Sequence, residues 1–204
     1  MELDLFQADA LRELGNIGAA HAATSLSQML MSPIDMTVPE VQVVDIADMH
    51  NYIGNEIAAI VVFQIQGEVA DGGYIVVSMP QETVIRLTNL MLGTTGVDRE
   101  INEMDQSAAI EIGNIMISAF LDATAELLEI VMLPSPPALA IDMAHAAFES
   151  IIAQMAGDVN DILIFNTELT SEAPPIYGGI YMLPKPELMQ QLFTLLDDLM
   201  TSTA

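Results

Sequence analysis

Two carboxylate and carboxamide pairs stand at matching places in this 204-residue chain. They belong to two copies of one pattern, Asp9-x3-Glu13-x2-Asn16-x22-Pro39 and Ser107-x3-Glu111-x2-Asn114-x22-Pro137, the second lying 98 residues after the first. A carboxylate can hold a cation, while a carboxamide can accept and donate hydrogen bonds without bringing charge. On a helix, positions i, i+4 and i+7 share a face, so Asp9, Glu13 and Asn16 form one polar row and Ser107, Glu111 and Asn114 another. Polar faces are ordinary on amphipathic helices, and an Asn beside glycine can mark a helix end. Here, however, the helical pattern runs on through residues 19–27 and 115–128. Gly and Asn each cost several tenths to about 1 kcal/mol relative to Ala in a helix, yet Gly15-Asn16 recurs as Gly113-Asn114. A glycine beside a functional amide would also let another backbone come close. Repeated chemistry or docking is the expectation.

The elements that must carry these rows also repeat. Residues 3–32 read as one helix that stops before Pro33, with Leu14, Ile17 and Leu30 spaced for a buried stripe. Residues 41–46, 56–66 and 73–79 are rich in Val and Ile and read as strands. A helix over 80–92 opens with proline in its first turn. After a linker-like stretch at 93–102, bearing Gly93, Thr94, Thr95 and Gly96, the order recurs: helix 104–130, strands 138–143, 161–170 and 178–183, helix 186–199. Gly72-Gly73 and Pro80 find counterparts in Gly178-Gly179 and Pro186 at an offset of 106, which implies eight extra residues in the second half. Residues 145–156 can form a short additional helix there. Phe148 and Ile152 on it are either core or a docking surface for a partner.

The fold class expected is α+β, a pseudo-twofold duplication of an α-β-β-β-α unit with an antiparallel sheet packed against long helices. It forms a single domain, 1–204, made of repeats 1–96 and 97–204. Half the chain is apolar, enough for a sizeable core. The fifteen methionines are read as adaptable packing residues. There is no cysteine, which excludes disulfides, thiolate nucleophiles and Cys-based metal centres. His21, His50 and His145 share no short spacing with one another, so a metal site is not expected. Ser25, Ser27 and the Thr94-Thr95 pair lack a nucleophile-elbow setting. The acidic N-terminus does not read as a secretory signal, and the longest strictly apolar run, 57–63, is too short to span a bilayer, so a soluble cytoplasmic protein is expected.

The tandem motif and the two-repeat layout, which covers nearly the whole chain, resemble the CheC-type chemotaxis phosphatases, a family that includes CheX and FliY. The resemblance implies hydrolysis of the aspartyl phosphate on a CheY-type response regulator. It assigns Asn16 and Asn114 to orienting the attacking water, and Glu13 and Glu111 to pairing with the regulator's lysine. Pro39 and Pro137 are implied to turn the chain into the first strand of each repeat, and Asp9 and Ser107 to be accessory. No cofactor is implied for this chain, because Mg2+ belongs to the regulator. A second implied partner is a CheD-type receptor deamidase, and the additional helix at 145–156, with Phe148 and Ile152, is where its contact is expected. A non-catalytic adaptor binding a regulator or such a deamidase is the alternative reading.

The net charge of −25 arises because 29 acidic residues face only Arg12, Arg86, Arg99 and Lys185. Nucleic acid and anionic membranes are therefore poor partners. Such a surface repels itself in dilute buffer, which suits a high-salt cytoplasm, although a single acidic partner-facing surface would give the same composition. On the first account the melting temperature should rise clearly between about 0.1 M and about 2 M KCl, where screening shrinks the Debye length to about 3 Å or less. Equal melting temperatures at the two salts exclude it.

Overall fold

Alternation along residues 57–67 sends Ala59, Val61, Phe63 and Ile65 to one side of a strand and Ala58 and Ile60 to the other, and all six are buried. A strand with two buried faces needs a layer on each side, and the computed structural model supplies both. It describes residues 5–68, 72–155, 161–170 and 176–202. Residues 3–4 of the expected first helix and Ala156 of the expected short one lie outside them.

The elements follow in the order α1 (Leu5–Leu30), β1 (Asp35–Asp45), a 3-10 helix (Ile46–Asn51), β2 (Ile57–Gly67), β3 (Gly73–Pro80), α2 (Gln81–Leu92), α3 (Glu103–Leu128), β4 (Met132–Pro134), β5 (Ala138–Met143), α4 (Ala144–Met155), β6 (Asp161–Thr170), β7 (Ile176–Pro184) and α5 (Pro186–Ser202). The strands form one antiparallel sheet ordered β1-β6-β7-β3-β2-β4, with β5 also on β2. The halves interleave, β1 pairing with β6 and β2 with β5, and β3 meets β7 at the centre, Val77 opposite Ile180. The main core fills the space between the sheet and α1, α2, α3 and α5. A smaller core lies on the opposite face beneath the 3-10 helix and α4, with Met49, Ile53, Ala144, Ala147 and Phe148 over Ile60, Val76, Ile162 and Ile164.

The expected α+β duplication is observed, with three changes. First, β1 begins six residues earlier than expected, at Asp35, because Pro39 does not turn the chain into the strand but lies inside it. The register slips between Thr37 and Glu40, and a bulge of this kind tolerates a residue with no N–H. In the second half the same place, residues 135–137, breaks the strand into β4 and β5. Ser135 bridges the break, its N–H donating to Gln64 O at 2.9 Å and its Oγ accepting from Gln64 N–H at 2.9 Å.

Second, strand register corrects the expected equivalences. Val41 pairs with Phe165, while its counterpart Leu139 pairs with Val61. Phe165 is therefore the counterpart of Val61, 104 residues on, and the second half gains six residues before its second strand, not eight. Val61 pairs with Val77 and Phe165 with Ile180, so the third strands stand 103 apart. Neither the double glycines nor Pro80 and Pro186 are equivalent. Third, α4 is not an unmatched element: it follows β5 as the 3-10 helix follows β1, and is a longer version of the same cover.

The stretch 93–102 is fastened down, unlike a linker. Gly93 takes the left-handed conformation (φ 64°) that closes α2. Asn89 Nδ2 donates to Gly96 O at 3.1 Å, and Gln81 Nε2 donates to Arg99 O at 3.2 Å. Asn102 caps α3 in a reciprocal capping box with Asp105. The Arg99 guanidinium grips both oxygens of the fully buried Asp105 carboxylate. That contact, with the Asn102 N–H and the Thr88 hydroxyl, holds Asp105 below the ordinary carboxylate range against the opposing effect of burial.

α3 is long and apolar enough, by length and composition alone, to cross a membrane. Its apolar residues Ile112, Met116, Ile117, Phe120 and Leu121 instead lie in the main core.

Two outcomes follow from this packing. An Asp whose folded pKa is depressed contributes stability above its unfolded value of about 4, and loses that contribution as pH falls through the lower folded value. Asp105→Asn should therefore melt several degrees below the parent at neutral pH, with the gap closing under acid. A gap that is constant across thermal melts from about pH 7 to about pH 3 contradicts the assignment. Gly18→Ala should destabilise by about 1 to 3 kcal/mol in urea titration despite alanine's better helix propensity. A Cβ at Gly18 would sit 2.5 Å from the Phe120 ring.

Candidate functional site

Both motif rows sit where long helices cross the sheet at close range. Gly15 faces the Phe165 ring, where a Cβ would come within 2.9 Å, and Gly113 faces Val61, where it would come within 3.1 Å. Because Val61 is the counterpart of Phe165, these are two copies of one contact. The motif glycines thus admit the protein's own sheet rather than a visiting backbone, contrary to the interface role expected for them. They also account for Gly-Asn in mid-helix: the propensity cost is offset by helix-to-sheet packing. Gly18 plays a similar part between α1 and α3, receiving the ring of Phe120. Phe120 in turn meets Phe165 edge-on at 5.2 Å.

With one side of each helix set against the sheet, the polar row turns outward. Asp9, Glu13, Ser107 and Glu111 are exposed, and Asn16 and Asn114 are half-buried. Asp9 pairs with Arg12 at 2.8 Å, both well exposed, and Ser107 Oγ donates to the Glu103 carbonyl one turn back at 3.0 Å. These are local surface bonds, of little energetic weight. Glu13 and Glu111 make no ion pair or side-chain hydrogen bond with any described residue. Three of the four cationic side chains are already committed to other acids: Arg12 to Asp9, Arg86 to Glu82, Arg99 to Asp105. No arginine of this chain neutralises the two motif glutamates.

The two asparagines differ. Asn16 Oδ1 accepts the Val38 backbone N–H at 3.0 Å, tying α1 to β1 at the bulge. The Asn114 side chain makes no hydrogen bond with a described residue. The position equivalent to Val38 is Pro136, which has no N–H to offer. This bond was not foreseen from the sequence, though the 98-residue offset sets Val38 against Pro136. Pro137, half-buried, lies in the break between β4 and β5.

Beside the second row, Thr88, Met91, Leu92, Met104, Ser107 and Ala108 line a shallow cleft of about 140 Å3 between α2 and α3. Met91, Leu92 and Met104 are exposed at its rim. This apolar neighbourhood of Ser107 was also missed, because the residues come from two helices.

On the other face of the sheet, Phe148 is core. Its ring is 1% exposed and meets Tyr181 edge-on at 4.8 Å. Burial, and secondarily the Glu56 carboxylate, push the Tyr181 phenol up to about 12. Phe148 is therefore no docking anchor. Ile152 is half-buried and lines an open groove between α4 and the 3-10 helix. No cluster of His and acidic residues suited to a metal ion occurs among the described residues.

Residues 6–43 and 104–141 match the model of the CheC-like family. The matched segments are offset by the same 98 residues as the motif, and each runs from a long helix into the first strand of its repeat. The CheY-P phosphatase CheC of Bacillus subtilis is 26% identical over 197 residues, covering 93% of this chain and 93% of its own length. The putative CheY-P phosphatase CheC1 of Halobacterium salinarum is 26% identical over 190 residues, covering 91% of this chain and 93% of its own. The crystal structure of FliY from Thermotoga maritima superposes with a TM-score of 0.81 at 23% identity, over 97% of this chain and 99% of that one.

Proposed function

We propose that this chain is a member of the CheC-like family, whose model two of its segments match, and that it hydrolyses the aspartyl phosphate of a CheY-type response regulator by positioning water with a motif asparagine. A phosphatase role on CheY-P is supported by two relatives that carry that activity in their names, each aligned over more than nine-tenths of this chain. The observation that carries the finer reading is geometric. Two rigid helices each present an unneutralised, exposed glutamate with a half-buried asparagine one turn on.

Phosphoryl transfer passes through a loose transition state, so a catalyst contributes mostly position and charge. A carboxamide oxygen can accept a hydrogen bond from water and so aim its lone pair at phosphorus. A carboxylate in that place would repel the phosphoryl oxygens. Glutamate is better used against a cation, and Glu13 and Glu111 fit the regulator's lysine. The exposed Met91, Leu92 and Met104 offer apolar contact area next to the second motif. Mg2+ is assigned to the regulator, where it would neutralise phosphate charge.

The adaptor alternative drew on Phe148 as a deamidase contact, and the burial of that ring removes its main anchor. A deamidase partner stays a proposal without a named surface.

The decisive comparison is phosphate loss from a phosphorylated CheY-type regulator with Asn16→Ala and Asn114→Ala combined. The rate should fall by about a hundredfold or more toward that of the regulator alone. A parental rate excludes catalysis by these residues. Glu13→Gln with Glu111→Gln should act differently, raising KM for the regulator by about tenfold with a smaller effect on kcat. A loss confined to kcat contradicts the docking role.

A further inference from the structure

We infer that residues 38 and 136, which precede the motif prolines, decide which asparagine is available for hydrolysis, so that Asn114 carries the reaction and Asn16 serves mainly to fasten α1 to β1. The inference rests on the phosphatase reading above and concerns how the work is divided between its two sites.

The argument starts from the hydrogen-bond capacity of a carboxamide: one oxygen that accepts and one NH2 that only donates. Orienting a water for attack uses the oxygen. In the first half that oxygen accepts the Val38 N–H at 3.0 Å, so the fold already holds it toward β1 and occupies one of its two lone pairs. Val38 is itself fixed: its side chain is 1% exposed, and one of its methyls lies 3.3 Å from the position of a Cβ on Gly15. The held asparagine is therefore set by packing on both sides. In the second half Pro136 replaces Val38 at the equivalent position, and proline has no N–H. The strand is broken there as well, so the bond has no counterpart. The Asn114 carboxamide, on a half-buried residue and without a hydrogen bond to any described residue, keeps its oxygen free. The second site also has the apolar cleft between α2 and α3 beside it.

Rates of phosphate loss from the regulator with single and combined variants test this. Asn114→Ala should lose about tenfold or more, and Asn16→Ala less than about threefold. Val38→Pro removes the donor, so Val38→Pro with Asn114→Ala should be faster than Asn114→Ala alone, a gain that mere structural damage does not produce. In the reverse direction, Pro136→Val supplies a donor at an exposed residue. It should slow the parent and yield an amide at residue 136 protected from hydrogen exchange. If Val38→Pro does not fold in a thermal melt, Pro136→Val decides the matter. Equal losses from the two single variants, or a Pro136→Val protein with a protected amide and an unchanged rate, overturn the inference and leave the phosphatase reading standing. A parental rate in the double Asn variant overturns both.

Discussion

Close approach of α1 and α3 to the sheet is the constraint on which the rest of this protein depends. It is made possible by Gly15 and Gly113, which face strand side chains that would collide with or crowd a Cβ, while Gly18 lets α3 come equally close to α1. Close packing of this kind leaves no freedom for a helix to rotate. With one side of each helix fixed against Phe165 or Val61, the opposite side is fixed toward solvent. The direction in which Glu13, Asn16, Glu111 and Asn114 point is therefore a consequence of core packing. The cost of glycine within a helix is small beside the burial it allows: Leu11, Leu14 and Leu26 of α1 and Ile112, Ile117 and Leu121 of α3 are all 2% exposed or less.

The same duplication that provides two sites also makes them unequal. A twofold copy of a fold is held by shared contacts, such as Gly15 on Phe165 and Gly113 on Val61, and these persist with altered side chains. Contacts that involve the backbone are less forgiving. One proline in place of valine deletes a donor, and the first strand passes from a bulge in one half to an open break in the other. On the far side of the sheet, the six-residue 3-10 helix of the first half becomes the twelve-residue α4 in the second. There Phe148 and Tyr181 seal a core that the first half covers with less.

Much of this was legible in the chain. The 98-residue repeat of Glu, Gly, Asn and Pro marked the residues proposed for the site, and alternation of Val and Ile located the strands, because periodicity is a local property. β6 begins and ends where the pattern placed it, at Asp161 and Thr170. Errors arose where one residue type can serve two ends. Pro39 read as a turn and is a bulge inside β1. Phe148 read as either core or docking surface, and only the position of Tyr181 separates the two. The double glycines suggested an offset of 106 that pairing replaced with 104 and 103, since composition carries no information on which residue lies opposite which.

By itself, then, the sequence determined the duplication, the α+β class, the order of nearly all elements, and the four residues proposed for chemistry and docking. These follow from spacing along one chain, which is where helical and strand periods are written. Only tertiary structure decided that the motif glycines serve the sheet, that Arg99 and Asp105 fasten the stretch between the halves, and that Asn16 is held while Asn114 is not. Each of these depends on an atom brought close from elsewhere in the fold. A hydrogen bond between Asn16 and Val38 requires α1 and β1 to be docked before donor and acceptor can meet.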